Sequence, residues 1–346
     1  MDNRYHYSAT ETTDPELQTT LLILRCEDTN NPSRSIQVAI APEYGSNLIQ
    51  YKIGDHDVFF CDKEVLKDRR WTGCFNLWPF PNRYDREGRK EYRFEGTVIS
   101  LEKIQRKEGN KPLIHGLIDD QVWHYEKPVA DTNSSHVSTS IAITKDSPLF
   151  AFFPYESKIT LTYTVSHDGL AVEYLVENMS GLNLPSNFAM HPYYATFGDR
   201  HGTVVCIPAQ SVMKADAELL PTGELQPVEG TQYDIRQPKP VEGMMFDDVW
   251  TDLIPGEDTY VEYPKLGFRI SHKVSGDFTH VVMFTHMEGN GFICLEPQTG
   301  ATNAVNLDDA ARETKNEQLK KAAHLIVVPA KQHHIGSVKY AIDFLK

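Results

Sequence analysis

The strongest constraint on the fold is a pair of alternating segments joined by a short polar turn. In residues 158–166 and 170–177 apolar and polar residues alternate, and His167-Asp168-Gly169 lies between the two segments. Such alternation is typical of a strand with one buried face, and Asp-Gly favours a tight reversal between antiparallel strands. These residues therefore predict a β-hairpin that packs one face on a core.

Similar patterns recur along the chain. Residues 19–26 and 35–40 predict strands joined by a turn over 28–33, and residues 279–285 predict a strand that reverses through 288–291 into another strand. Helical periodicity is rare, and strands do not alternate with helices. We therefore predict an all-β, mostly antiparallel fold with few short helices. Residues 308–322 lack an apolar stripe and fit a surface loop as well as a helix.

Length and composition limit the organisation of the chain. Residues 1–18 are expected to be a loose lead-in, and residues 19–346 a single domain, because no repeat or low-complexity linker divides them. The net charge of -14 disfavours nucleic acid and anionic membranes as partners. No apolar run reaches membrane-spanning length, and the N-terminal residues lack a secretory pattern. Five widely spaced cysteines without a CxxC pair fit reduced thiols, so we expect a cytoplasmic protein.

Residues 291–300 predict a strand that ends in a carboxylate. An apolar run leads into Glu296, and Pro297 follows, so we expect Glu296 to lie where the strand leaves the sheet. A carboxylate among apolar residues has a raised pKa and is a better base near neutral pH. Taken alone, however, Glu296 fits a solvated strand end more readily than a catalytic base.

Three further segments place polar side chains beside aromatic or proline residues. The rigid segment 77–81 precedes Asn82 and Arg83, which could present an amide and a guanidinium to sugar oxygens or to a carboxylate. His115 follows an apolar approach and precedes a glycine. His191 lies at a bend among aromatic residues, which makes it the better candidate for a general acid. Each histidine, taken alone, also fits a structural role.

A fourth segment, residues 243–250, carries two carboxylates between aromatic residues. Asp247 and Asp248 could accept hydrogen bonds from sugar hydroxyls. Paired acids would equally suit a glycosidase, which needs two carboxylates across one bond, so that alternative stays open. The dinucleotide, P-loop and α/β-hydrolase motifs are missing from the sequence.

Taken in order, these segments resemble the aldose 1-epimerase (galactose mutarotase) family. The resemblance covers roughly residues 21–340. It rests on short blocks that follow the family's order, namely Pro79 to Arg83, His115-Gly116, His191-Pro192-Tyr193, residues 219–247 ending at Asp247, and Glu296-Pro297-Gln298-Thr299-Gly300.

The resemblance implies a galactose mutarotase-like β-supersandwich with an open cleft. It also implies an enzyme, without metal or cofactor, that interconverts the α and β anomers of a free aldose, so that the partner is a small sugar. By position, Glu296 matches the general base and His191 the general acid. Arg83 and His115 match substrate-binding residues, Asp247 matches the acid that binds hydroxyls, and Asn82 is a neighbour of the site.

Two features of the resemblance bear on geometry and specificity. The chemistry requires one carboxylate and one imidazole, which we expect on opposite sides of one sugar-sized hollow. Met190, Tyr194 and Ala195 depart from residues common in the family around His191, which affects sugar preference more than the reaction.

Other functions remain open from sequence. A non-catalytic sugar-binding or sensing module could keep the same cleft. A hexose-phosphate epimerase would need a cationic clamp, for which Arg69-Arg70 and Arg89-Lys90 are the nearest candidates. A glycosidase would leave both histidines without a role. Either a monomer or a homodimer fits the sequence.

Overall fold

The computed structural model of the chain describes residues 4–69, 71–104, 112–285 and 291–345. Strands dominate these residues. The strands of the first third of the chain are β1 Tyr5–Asp14, β2 Thr19–Asp28, β3 Ile36–Ala41, β4 Asn47–Ile53, β5 His56–Asp57, β6 Cys74–Leu77, β7 Glu91–Phe94, β8 Thr97–Ser100 and β9 His124–Tyr125. The middle third forms β10 Val129–Ala130, β11 Ser135–Ile143, β12 Ser157–Ser166, β13 Gly169–Asn178, β14 Leu184–Pro185, β15 Ala189–Ala195, β16 Val204–Cys206, β17 Ala209–Ala215 and β18 Pro221–Pro227.

The last third completes the sheets and adds two of the helices. Its strands are β19 Lys239–Pro240, β20 Asp247–Leu253, β21 Thr259–Tyr263, β22 Phe268–Val274, β23 His280–Phe284, β24 Phe292–Gln298, β25 Val327–Val328 and β26 His333–Phe344. The α-helices of the described residues are α1 Lys63–Lys67, α2 Ala304–Thr314 and α3 Glu317–Ala323. The longest of these has 11 residues, which is too short to cross a bilayer.

Two large antiparallel sheets form the body of the protein. Within the described residues, one sheet has twelve strands in the order β1-β2-β3-β4-β6-β15-β24-β23-β20-β17-β18, with β5 beside β4. The other has ten strands in the order β10-β11-β12-β13-β26-β22-β21-β16-β19, with β9 beside β11. The predicted all-β, mostly antiparallel class with few short helices is confirmed.

The hydrophobic core lies between the two sheets. Leu24 and Val38 of the twelve-stranded sheet belong to the same buried cluster as Tyr163 and Val172 of the ten-stranded sheet. A hydrogen bond of 2.6 Å between Tyr194 Oη and His272 Nε2 on β22 also joins the sheets. Apolar burial between sheets is the main stabilising contribution in such a sandwich.

The hairpin predicted from alternation is present as β12 and β13. Along β12 buried and partly exposed residues alternate over all ten positions, and the two strands pair from Ser157 with Asn178 to Ser166 with Gly169. Gly169 has φ +135°, and a Cβ atom there would lie 2.2 Å from the carbonyl oxygen of Tyr340 on the neighbouring strand β26. The turn therefore requires glycine.

The predicted strands at residues 19–26, 35–40, 279–285 and 291–296 are present as β2, β3, β23 and β24. The predicted turn at 288–291 falls largely on residues outside the described part. The undecided segment 308–322 forms parts of α2 and α3, which pack Ala304 and Leu307 on Met213, Val249 and Val282 of the twelve-stranded sheet. This helical cover could not be recognised from a narrow apolar stripe because its buried positions include asparagine and aspartate.

The expectation of a loose lead-in over residues 1–18 was wrong for most of that segment. Residues Tyr5–Asp14 form β1, which pairs along its whole length with β2. Most residues of this edge strand are polar, and five of its ten positions are exposed. Backbone pairing with β2 and the buried side chain of Tyr7 hold it in place. A single domain over residues 19–346 stays a prediction.

The expectation that Glu296 ends a strand was also wrong. β24 continues through Pro297 to Gln298 and lies between β15 and β23. The N–H of Tyr193 donates to the carbonyl of Gly73, on the β6 side of β15, so the backbone nitrogen of the preceding Pro192 faces β24. The N–H of Thr299 donates to the carbonyl of Phe188, on the β15 side of β24, so the nitrogen of Pro297, two residues earlier, faces β15. Neither proline has an N–H to donate, and both proline nitrogens face the seam between β15 and β24. The two strands pair on either side of this interruption, at Ala189–Gln298 and Tyr193–Cys294.

Replacing Gly169 with alanine should lower the free energy of unfolding by about 2–4 kcal/mol, because the added methyl group meets a carbonyl oxygen and the residue keeps a positive φ. Chemical denaturation measures the change. Gly276→Ala is the matched control, since a Cβ there meets no atom within 4 Å. Equal stability of the two variants would contradict this account of the hairpin.

Candidate active site

Neighbouring strands bring the predicted site residues onto one face of the twelve-stranded sheet. His191 on β15 is in register with Phe75 on β6, and Glu296 on β24 is in register with Val282 on β23. Asp247 begins β20, the next strand in the sheet. The remaining predicted residues come from two segments outside the sheet, which supply Asn82, Arg83 and His115.

His191 and Glu296 form a direct hydrogen-bonded pair. His191 Nε2 lies 3.1 Å from Glu296 Oε1. Only 5% of His191 and 1% of Glu296 is exposed. The sequence predicted that these two groups would face each other across a hollow, but they lie side by side on adjacent strands. The reason is the register of β15 and β24, which places residues 191 and 296 opposite each other across the interrupted seam.

Two side-chain amides hold the other oxygen of the carboxyl group. Asn82 Nδ2 donates to Glu296 Oε2 at 2.9 Å, and Gln298 Nε2 donates to the same oxygen at 3.2 Å. Both amide residues are buried. Glu296 therefore has one oxygen fixed by amides and one oxygen that faces His191.

The segments that carry Asn82 and His115 are joined through their backbones. The N–H of His115 donates to the carbonyl of Asn82 at 2.9 Å, and both residues have positive φ, 53° for Asn82 and 71° for His115. Residues other than glycine rarely adopt this region unless the surrounding structure holds them. At Gly116 a Cβ would lie 2.4 Å from the carbonyl oxygen of Trp78, so this close approach requires glycine.

Aromatic rings surround both imidazoles. Phe75 and Tyr193 stack on His191, with ring centroids at 4.6 and 5.2 Å. His115 meets His191 edge to face at 4.9 Å, and Trp71 meets His115 at 4.5 Å. The predicted aromatic surround of His191 is thus present. These ring contacts restrict the orientation of the imidazole and pack it in an apolar environment.

Arg83 and Asp247 add opposite charges beside the pair. Arg83 Nη1 lies 3.7 Å from Asp247 Oδ2, with 8% of the Arg83 side chain and 30% of the Asp247 side chain exposed. Asp247 is therefore more accessible to solvent than the His191–Glu296 pair. A carboxylate in this position is available to accept hydrogen bonds from hydroxyls that approach from outside.

Burial shifts the two members of the pair in opposite directions. Desolvation raises the pKa of Glu296 to about 8, against the hydrogen bond from Asn82, which lowers it, and the charge of Asp247 adds to the rise. Desolvation lowers the pKa of His191 to about 3. Both shifts disfavour charge, so burial favours a pair that holds one proton near neutral pH, with this proton on Glu296.

Sequence reasoning missed Gln298 and Phe75 as members of the site. Gln298 could have been found, because residues two apart on a strand point to the same face and Glu296 had already been singled out. Phe75 could not, since its place beside His191 depends on the pairing of β6 with β15, which are distant in sequence.

Among the candidates for a cationic clamp, Arg69 and Arg89 have other partners. Arg69 donates to the carbonyls of Glu43 and Asp120, and Arg89 pairs with Glu87 at 2.6 Å. Arg70 lies outside the described residues.

Glu296→Gln should stabilise the protein relative to wild type, and the difference should grow as pH rises from 4.5 to 8. Folded Glu296 keeps a proton in this range that the unfolded chain releases, so the contribution of Glu296 to wild-type stability falls by up to about 1.4 kcal/mol per pH unit. Glutamine cannot titrate and avoids this loss. Unfolding free energies at pH 5 and pH 8 measure the effect, and a difference independent of pH would contradict the raised pKa.

Comparison with known proteins places the chain in a family. A protein-family model described as aldose 1-epimerase matches residues 30–324. Galactose mutarotase of Sus scrofa is 33% identical over 90 residues, which are 25% of this chain and 26% of that protein. The match therefore spans about a quarter of the length of that relative. Maltose epimerase of Levilactobacillus brevis is 23% identical over 261 residues, covering 72% of this chain and 74% of the relative.

Solved structures show the same fold. A galactose mutarotase-like protein from Clostridium acetobutylicum has a TM-score of 0.80 and 18% identity, with 98% of this chain and 99% of that chain covered. This likeness confirms the predicted galactose mutarotase-like fold. Because the family model matches most of its length, the chain belongs to the aldose 1-epimerase family.

Proposed function

We propose that this protein is an aldose 1-epimerase, an isomerase that interconverts the α and β anomers of a free aldose such as galactose or glucose. The observation that carries the proposal is the buried pair of His191 and Glu296, hydrogen-bonded at 3.1 Å. Anomer exchange moves one proton off the anomeric hydroxyl and one proton onto the ring oxygen. A carboxyl and an imidazole that share one proton supply both transfers without a net change.

Ring opening proceeds from the form of the pair in which Glu296 is a carboxylate and His191 an imidazolium. Glu296 accepts the proton of the anomeric hydroxyl, His191 donates to the ring oxygen, and the C1–ring oxygen bond breaks to give the open aldehyde. Rotation about the C1–C2 bond presents the other face of the carbonyl. Ring closure then runs the two transfers backwards and restores the pair.

The two protonation forms of the pair are thus the two ends of one half-reaction. Burial favours the uncharged form, with the proton on Glu296, which is the form reached after ring opening. Arg83 lowers the pKa of Glu296 through its positive charge and so favours the carboxylate form. This influence offsets part of the effect of burial and so lowers the free energy of the carboxylate–imidazolium form from which ring opening starts.

The other site residues bind the sugar in this proposal. Asp247 accepts hydrogen bonds from sugar hydroxyls, and Arg83 and His115 bind the substrate beside the ring oxygen. Asn82 donates to Glu296 Oε2 and leaves Oε1 for proton transfer. The relatives named galactose mutarotase and maltose epimerase support a reducing sugar as the substrate class.

The alternative functions are less well supported. A non-catalytic sugar-binding module needs neither a buried carboxyl nor an imidazole in contact with it, and burying both costs stability. A hexose-phosphate epimerase needs a cationic clamp, but Arg69 and Arg89 already have partners. A glycosidase uses two carboxylates across the scissile bond and would have no role for His191, which contacts Glu296.

Glu296→Gln should reduce the rate of anomer exchange by at least about 10², because the variant lacks the group that accepts and returns the proton. Sugar binding should stay within about tenfold of wild type, since glutamine keeps the shape of the side chain. Polarimetry of freshly dissolved α-D-glucose and α-D-galactose measures the rate, and Glu173→Gln on β13 is the control. A Glu296→Gln variant with wild-type turnover would remove Glu296 from this role, and a wild-type protein inactive on a panel of aldoses would favour the module.

The ratio kcat/KM should fall as pH rises above about 8. The active pair holds one proton, and this proton is lost as pH passes the raised pKa of Glu296, which leaves a carboxylate and a neutral imidazole without an acid. NMR of anomer exchange between pH 5 and 10, corrected for the uncatalysed reaction, gives the profile. A corrected rate that still rises at pH 10 would contradict the one-proton pair.

A further inference from the structure

We propose that Gln298 is a positioning residue for Glu296, because its amide holds Oε2 of the carboxyl group and leaves Oε1 directed at His191. This inference rests on the proposed function, since the reaction needs a defined oxygen for proton transfer. Gln298 donates its side-chain hydrogen bond to Glu296 and acts through that residue.

The position of Gln298 follows from the strand itself. Residues 296 and 298 of β24 point to the same face because side chains alternate along a strand. Gln298 is fully buried, with 0% exposed, and donates through Nε2 to Glu296 Oε2 at 3.2 Å. Asn82 donates to the same oxygen from outside the sheet at 2.9 Å. Two donors on one oxygen restrict rotation of the carboxyl group about its last torsion.

The second polar atom of Gln298 points to a further property. Among the described residues, its Oε1 is buried and has no hydrogen-bond partner. A primary amide can donate through nitrogen to a carboxylate and, after turning over, accept through oxygen from a carboxylic acid. The carboxyl of Glu296 alternates between these two states in each half-reaction. An amide side chain can therefore hydrogen-bond to both protonation states of Glu296, whereas an apolar side chain can hydrogen-bond to neither.

Several ionisable groups act on Glu296, and the test must separate Gln298 from them. They are His191 on β15, Asp247 on β20, Arg83 in the segment after β6, Cys294 on β24 itself and Cys74 on β6. A hydrogen bond donated by Gln298 favours the charged carboxylate and lowers the pKa of Glu296. Removing this donor while keeping all five groups should therefore raise that pKa.

Gln298→Met tests the proposal, because methionine has a similar length and cannot donate. The turnover number should fall about tenfold with little change in KM. The pH at which kcat/KM declines should move upward by about one pH unit. Leu295→Met is the matched control, since Leu295 is equally buried on the opposite face of β24. We expect the control to keep the wild-type pH profile. A slower Gln298→Met enzyme with an unshifted profile would overturn the positioning role and leave only a packing role.

A second measurement uses the wild-type protein and needs no turnover. The side-chain amide signals of Gln298 in ¹⁵N NMR should shift with pH at the same midpoint as the ¹³C signal of the Glu296 carboxyl. Amide signals that stay constant through that titration would overturn the proposal even if Gln298→Met fails to fold. Failure of the proposed function is distinguishable, since it would appear as a wild-type protein without anomer exchange, whatever the amide signals do.

Discussion

The contact between His191 and Glu296 is the interaction on which the site depends. It exists because β15 and β24 are neighbours in a register that places these two residues opposite each other. Pro192 and Pro297 face the same seam and remove two backbone donors from it. The side-chain pair lies on the face of the sheet at the level where the backbone ladder is interrupted. A central sheet position also makes the pair rigid, which a strand end or a loop would not.

The surroundings of the pair balance two opposing effects. Burial penalises any charge on either group, while Asn82, Gln298 and Arg83 favour a negative charge on Glu296. Asp247 opposes them from a more exposed position. These influences come from three different parts of the chain, which explains why the fold must be complete before the pair has its properties. The stability lost by burying polar groups is offset by the apolar core between the two sheets.

Much of the architecture could be predicted from local patterns. The β12–β13 hairpin, β2, β3, β23 and β24 follow from alternation and turn residues, because these signals depend on a few adjacent positions. β1 was missed, since an edge strand of polar residues is held by backbone pairing with β2 and has little apolar signal. The helical cover was left undecided because buried asparagine and aspartate obscure its inner face.

For the site, sequence identified the groups better than their arrangement. Asn82, Arg83, His115, His191, Asp247 and Glu296 were each singled out, and five of their mutual contacts are recorded. Direct contact within the pair and the interior place of Glu296 depend on strand order across the sheet, which no local pattern carries. The part played by Phe75 is hidden for the same reason.

The protonation of the pair in the wild-type protein tests the central claim most directly. NMR of protein labelled with ¹³C at glutamate carboxyls and ¹⁵N at histidine rings reports both groups at pH 7. The account predicts one proton in the pair, seen as a carboxylic acid beside a neutral imidazole or as a carboxylate beside an imidazolium. A carboxylate beside a neutral imidazole at pH 7 would contradict it.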